Sequence, residues 1–360
     1  MPETSATILI PDISGFTEFM TTTELEHSSH AINFLIDAIV KAVEEEYEVS
    51  EIEGDAVLLI KKGPAPSKKE IVDTCLRIFN SFHFQRKWMQ QHTICPCGAC
   101  QAIINLTLKF VAHHGPVAEI KVGRFVKQSG TEMIVAHRLL KNSINNNEYL
   151  LMTEKLSQQA ADADVPVEIE WSSSSEEYAS IGKVDYRFAL LNEVRKRVPE
   201  PPEPQRTYRT DNTSYFELPI DMNYFDAYMT LTDFPGRVEW VPRLLKVEQE
   251  FPMGFIGSVH RCTFQNYHAV ISPVRMTPSA EGVMYAERCE IEEYNLTVVY
   301  EYVFKKINQN AFSFGCRFLN GGEYPIAEEM NASLFDDMKQ LAERFKEICE
   351  KKENIKPVNN

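Results

Sequence analysis

Between Arg195 and Arg206 the chain reads RKRVPEPPEPQR, and no regular element can run through it. Proline fixes its own φ, lacks the N–H that a helix or an inner strand needs, and biases the preceding residue toward extended backbone. Such a segment reads as an extended linker. The 360 residues are also more than one core comfortably holds. The chain is therefore expected to form a first domain over 1–195, a Pro-rich linker over 196–206, a second domain over 207–352 and a frayed tail over 353–360.

No uncharged apolar run reaches the roughly 18 residues that a membrane span needs. The N-terminus, MPETSATILIPDISGF, has neither the basic start nor the apolar core of a signal peptide. The expected location is the cytoplasm. A net charge of −15 excludes non-specific adhesion to nucleic acid or anionic membrane. It leaves room for a small anionic ligand, because a local metal or arginine can offset the repulsion. Cys75, Cys262, Cys289, Cys316 and Cys349 are scattered singly and read as reduced core thiols.

Before the linker the hydrophobic period alternates between two and three to four. Ala6–Ile10 is an apolar strand, and Ile32, Leu35, Ile36, Ile39, Val40 and Val43 form a helical stripe. Tyr47–Glu53 and Ala56–Lys61 read as a hairpin joined at Gly54-Asp55. A second helix is expected over about Lys68–Gln91, strands over Ile103–His113 and Val117–Val122, and a helix over Met133–Asn142. WSSSSEE (Trp171–Glu177) reads as a polar loop. The order β-α-β-β-α-β predicts an α+β fold with a ferredoxin-like sheet, which by itself carries no function.

Asp12 ends a buried strand, and Asp55 sits at a hairpin tip. If the two strands are neighbours, their carboxylates meet at one end of the sheet, an arrangement suited to Mg²⁺ or Mn²⁺. Otherwise Asp12 merely ends a strand and Asp55 is an ordinary turn residue. The turn Ile13-Ser14-Gly15-Phe16-Thr17 offers backbone N–H groups at a helix start, where phosphate is favoured.

Three collinear segments resemble class III adenylate and guanylate cyclases. They are ILIPDISGFTEFM (Ile8–Met20), EIEGDAVL (Glu51–Leu58) and LKFVAHHGPVAEIKVGRFVKQSGTEMIVAHRLLKN (Leu108–Asn142). The resemblance covers most of residues 6–195. It implies that Asp12 and Asp55 hold the metal ions and that Arg138 steadies charge on the transferring phosphoryl group. It also places Glu51 and Lys127 at the base-reading positions. Glutamate matches guanylate-type members, but a lysine at the second position cannot accept from adenine's amino group, and Lys127 is expected to pair with Glu51. Where the family has a ribose-orienting asparagine, this chain has Ile134, which has no hydrogen-bonding group. Losing an orienting group typically costs on the order of 10² to 10³ in rate. The pattern points to a divergent domain that binds nucleotide and metal without cyclising. Its rivals are an active guanylate-type cyclase and a structural module that binds no nucleotide. Cyclase sites form between two such domains, so a homodimer is expected.

His92-Thr-Ile-Cys95-Pro-Cys97-Gly-Ala-Cys100 combines soft ligands of the kind zinc takes. Four ligands in so short a loop need a sharply wound backbone, which Pro96 and Gly98 favour; the bland alternative is a turn of thiols. His113 and His114 are further ligand candidates or else polar strand caps.

The second domain reads as a strand (Ser214–Pro219), a short helix (Asn223–Leu231), a series of extended runs and a long helix over about Ala327–Lys351. The stripe Met330, Leu334, Met338, Leu341, Phe345 and Ile348 has core spacing on that helix. This order, with Trp240-Val241-Pro242 leading into Val247, resembles the START-like helix-grip family. The resemblance implies a sheet wrapped on the terminal helix around an apolar ligand cavity. Phe234, Trp240, Phe255, Tyr267, His268, Tyr285 and Phe314 are the candidate lining residues. A signalling or sensing protein with two ligand sites is the resulting expectation.

Overall fold

Proximity of Cα atoms divides the computed structural model into two units, one of Met1–Gln91 with Cys97–Pro201 and one of His92–Pro96 with Pro202–Asn360. The structure describes residues 4–23, 25–123, 125–161, 169–203, 215–249, 254–322 and 326–355. The last three linker positions, the first positions of the expected second domain and the end of the tail lie outside them. No described helix is long and apolar enough to cross a membrane.

The first unit opens with β1 (Thr4–Ser14), whose near-continuous apolar run is buried from Ala6 to Ile13, as suits a central strand. Then follow α1 (Phe16–Thr22), α2 (Leu25–Lys41), β2 (Glu48–Glu53), β3 (Ala56–Lys62), α3 (Lys68–His92), α4 (Gly98–Ala102) and β4 (Thr107–Val122). After these come β5 (Phe125–Ser129), α5 (Thr131–Leu139), β6 (Tyr149–Thr153), α6 (Glu154–Gln159), β7 (Trp171–Tyr178), β8 (Gly182–Leu190) and α7 (Asn192–Arg195).

The strand order is β2-β3-β1-β4-β6-β8-β7, with β5 paired to β4. Its first four strands reproduce the ferredoxin-like order expected from the hydrophobic pattern. Ala6, Ile8 and Ile10 of β1 pack with Leu58 and Ile60 of β3 and with Met133 and Ala136 of α5.

Two sequence expectations fail here. The strands over Ile103–His113 and Val117–Val122 are one strand, β4, preceded by a short 3₁₀ turn at Ile103–Asn105. Gly115-Pro116 does not break it, because β4 runs beside β1 as far as Val117 and then continues with β5. The serine-rich stretch is an edge strand, β7, paired to β8 from Trp171–Ala189 to Tyr178–Gly182. An edge strand needs backbone pairing more than an apolar face, and polar residues there discourage further pairing.

The second unit contains β9 (Phe216–Ile220), α8 (Tyr224–Thr232), β10 (Leu244–Gln249), β11 (His260–Phe264), β12 (His268–Ser279), β13 (Gly282–Ile291), β14 (Leu296–Asn308), β15 (Ala311–Asn320) and α9 (Glu328–Ile355). Asn223 caps α8 by accepting from the N–H of Phe225 at 2.9 Å. All pairings in the sheet β10-β11-β12-β13-β14-β15-β9 are antiparallel. Leu334, Met338, Ala342, Phe345 and Cys349 of α9 enter the same core as Tyr302, Phe304, Phe312 and Phe314 of the sheet.

Candidate functional site

Asp12 and Asp55 converge because β1 and β3 are antiparallel neighbours. Asp12 stands opposite Ala56, and the N–H of Ile13 donates to the carbonyl of Asp55 at 2.9 Å. Gly54 turns the hairpin at φ 67°, in the left-handed region that favours glycine. Asp12 is buried. Burial pushes its carboxyl above the ordinary value, Lys109 pulls it back, and Asp55, within side-chain hydrogen-bonding reach, pushes it up again.

Lys109 is the group that sequence reading missed. It faces Asp12 across the β1–β4 pairing, and its Nζ lies 3.2 Å from Asp12 Oδ2. The ammonium also reaches the carbonyl of Leu140 at 3.3 Å. The only sequence signal is a lysine in an otherwise apolar strand; its partner depends on register.

Ile13 and Ser14 close β1, and Gly15 (φ 89°) precedes α1, which begins at Phe16 and Thr17. The buried Ser14 hydroxyl has no hydrogen-bond partner among the described residues. Lys127 Nζ lies 2.8 Å from Glu51 Oε2 and 3.9 Å from Glu53.

Arg138 and Ile134 lie on the exposed face of α5. With Glu53, Lys127, His137 and Lys141 they line a groove of about 480 Å³. Asp12 and Asp55 are not among its walls. Among the described residues Arg138 forms no ion pair. His113 Nε2 lies 2.5 Å from Glu132 Oε2, its Nδ1 lies 2.8 Å from Thr153 Oγ1, and His114 Nδ1 lies 3.0 Å from Thr7 Oγ1. These two histidines are buried network members of β4.

The cysteine loop gathers a different histidine from the one expected. The donor atoms of His27, Cys97 and Cys100, all of the first unit, lie within 4.8 Å of one another. His92 is outside that group and ends α3, whereas His27 lies near the start of α2. Only the tertiary approach of α2 selects His27, which is 70 positions from Cys97.

In the second unit, a cavity of about 380 Å³ has walls that include Trp240, Tyr267, Leu296, Tyr300, Met338 and Leu341, with Arg237 and Glu287 among its polar groups. Of the seven expected lining residues, Trp240 and Tyr267 belong to it. Phe234, Tyr285 and Phe314 are buried packing of the core, and Phe255 is likewise buried outside the cavity walls. His268 is a surface residue whose Nδ1 lies 2.9 Å from Glu293, because it begins β12 at the rim of the sheet. The buried indole N–H of Trp240 has no acceptor among the described residues. The Arg237–Glu287 pair, at 2.9 and 2.8 Å, was not anticipated from the sequence.

The family described as a protein of unknown function (DUF2652) matches residues 32–149. The uncharacterized protein Rv2561/Rv2562 of Mycobacterium tuberculosis is 34% identical over 124 residues, which are 34% of this chain and 58% of that relative. The chain thus spans somewhat more than half the length of the curated relative it matches. Among solved structures, the catalytic core of a rhodopsin-guanylyl cyclase is 17% identical with a TM-score of 0.39, over 52% of this chain and 96% of that one. The adenylyl cyclase CyaB from P. aeruginosa is 14% identical with a TM-score of 0.38, over 52% of this chain and 95% of that one. The chain is a mixed α+β protein with cyclase domains among its structural neighbours over about half its length.

Proposed function

We propose that the first unit binds a nucleoside triphosphate with a divalent cation at Asp12 and Asp55 and does not cyclise it. The second unit, in this reading, holds an apolar small molecule, and the protein serves signalling or sensing. The observation that carries the proposal is the meeting of the two carboxylates beside the Gly15 turn. Their hard oxygens fit Mg²⁺ or Mn²⁺. A cation would relieve the same repulsion that raises the proton affinity of Asp12. Lys109 competes for that position, and the nearby Leu140 carbonyl offers its ammonium another acceptor.

Three features argue against cyclisation. Ile134 cannot orient a ribose, Lys127 is engaged by Glu51 and Glu53, and Arg138 lines a groove whose walls do not include the acid pair. A composite site would require a second copy of the chain.

Calorimetric titration of the full chain with GTP and with ATP, each with Mg²⁺ or Mn²⁺, tests the reading. Saturable heat that disappears in Asp55→Asn, with no 3′,5′-cyclic product, is expected. Absence of heat at millimolar nucleotide eliminates nucleotide binding. Cyclic product that vanishes in Asp55→Ala establishes the guanylate-type cyclase instead.

The antiparallel sheet and terminal helix of the second unit support a START-like helix-grip arrangement. The cavity favours a largely apolar ligand carrying one acceptor for the Trp240 N–H, since an unmet buried donor costs roughly 1–3 kcal/mol. Anilinonaphthalene sulfonate is expected to bind with enhanced fluorescence, more weakly in Leu341→Trp, which fills the cavity. Equal binding by both proteins removes the cavity from consideration.

A further inference from the structure

Most cysteines of this chain behave as small apolar residues in a core. Burial pushes the Cys262, Cys316 and Cys349 thiols up to about 11, 12 and 12 respectively, and none of these three belongs to a cluster of ligating groups. Cys95, Cys97 and Cys100 are arranged differently. All three are buried, and Cys97 and Cys100 meet an imidazole from a distant helix of the same unit. No disulfide joins any of the cysteines.

We infer that His27, Cys97 and Cys100 hold a zinc ion that fastens the start of α2 to the start of α4, and that Cys95, only two residues before Cys97 in the chain, supplies the fourth ligand. His27, Cys97 and Cys100 belong to the first unit, and Cys95 precedes Cys97 by two residues. His27 Nδ1 lies 3.1 Å from Cys97 Sγ and 4.0 Å from Cys100 Sγ. A tetrahedral site with Zn–S of about 2.3 Å and Zn–N of about 2.0 Å has ligand-to-ligand edges of roughly 3.5–3.8 Å. The observed separations bracket that range, so small side-chain movements close the site around an ion.

The donor set excludes hard cations. Three sulfurs and one imidazole are soft to borderline ligands, suited to zinc and poorly suited to Mg²⁺ or Ca²⁺. The backbone is already wound for the purpose. Cys97 caps α4, and the N–H of Cys100 donates to its sulfur at 3.5 Å. That hydrogen bond orients the sulfur and stabilises it as a thiolate, as outer-sphere partners of metal ligands do. On binding, Zn²⁺ displaces the thiol protons to solvent, with no change of oxidation state. Four protein ligands leave no open position for water or substrate, so the role is structural. The site is independent of the nucleotide reading and of its acid pair.

Elemental analysis of the full chain, purified under reducing conditions without chelator, tests the assignment. One zinc per chain is expected, with the ion lost in His27→Ala and in Cys97→Ser and retained in His92→Ala. If those variants fold poorly, cobalt substitution of the unaltered chain supplies a separate readout. Intense visible bands of tetrahedral Co²⁺ with thiolate-to-metal charge transfer are expected. The inference is overturned if the reduced chain takes up neither metal after loading. It is equally overturned if Cys97→Ser keeps a full complement of zinc, or if His92→Ala loses the ion while His27→Ala keeps it.

Discussion

A buried guanidinium is tolerated where its nitrogens find acceptors, and all three nitrogens of Arg237 do. Its two Nη atoms donate to Glu287, its Nε donates to the carbonyl of Leu231 at 2.8 Å, and it lies 4.4 Å over the ring of Phe234. Tyr285 and Tyr302 donate to the remaining capacity of the Glu287 carboxylate at 2.9 and 3.3 Å. Replacing Arg237 by Met leaves that carboxylate buried without its counter-charge and should cost roughly 3–5 kcal/mol. Urea denaturation will show this as a lower midpoint. Adding Glu287→Leu should recover much of the loss, because the uncompensated charge is then gone.

Phe234 also stacks on His260, with ring centroids 3.6 Å apart. Burial and the neighbouring Arg237 push the imidazole from an ordinary 6.5 down to about 3. The folded protein therefore holds this side chain neutral while the unfolded chain takes up a proton below pH 6.5. Its stabilising contribution is complete above that value and declines toward pH 3 by about 1.4 kcal/mol per pH unit. Burial depresses His83 in the same way, to about 4. In His260→Phe the dependence of stability on pH between about 6 and 5 should be shallower by one proton's worth. Unfolding curves at several pH values check this, and parallel curves for the two proteins would refute it.

At the scale of elements, α9 illustrates how a periodic stripe becomes structure. Phe345 is fully buried, with ring centroids 4.8 Å from Phe314, 5.1 Å from Trp240 and 6.1 Å from Phe304. Truncation to alanine should cost about 3–5 kcal/mol through lost burial and an unfilled hole. Circular dichroism and denaturation of Phe345→Ala measure the effect. Met330, at the start of the same stripe, instead lies partly exposed at the cavity wall. Helical spacing assigns a face, whereas packing decides how far along the helix that face is covered. The serine-rich β7 makes the complementary point: its residues carry no strand signal, and the backbone of β8 supplies the partner that makes it one.

For the whole molecule, the two units have separate cores, and a chain of that kind departs from two-state unfolding. Scanning calorimetry should resolve two transitions. Phe345→Ala should lower one of them alone. A single transition displaced as one body by that change would contradict the separation.

Much of the first unit was legible because its signals are local. A strand end, a glycine hairpin tip and an amphipathic stripe are written in neighbouring residues, and they singled out Asp12 and Asp55 as carboxylates that meet if their strands are neighbours. Lys109 and His27 were not legible. One depends on the register between β1 and β4, the other on the approach of α2 to a loop 70 positions away. Aromatic residues of the second unit read alike as core or cavity wall, since hydrophobicity records burial and not which side of the space a ring faces. Thus local chemistry determined most of the elements and singled out the two carboxylates, and the pairing of β1 with β3 brought them together. Long-range packing alone decided which lysine meets Asp12, which histidine joins the thiols and which rings border the cavity, because each choice is a distance between segments remote along the chain.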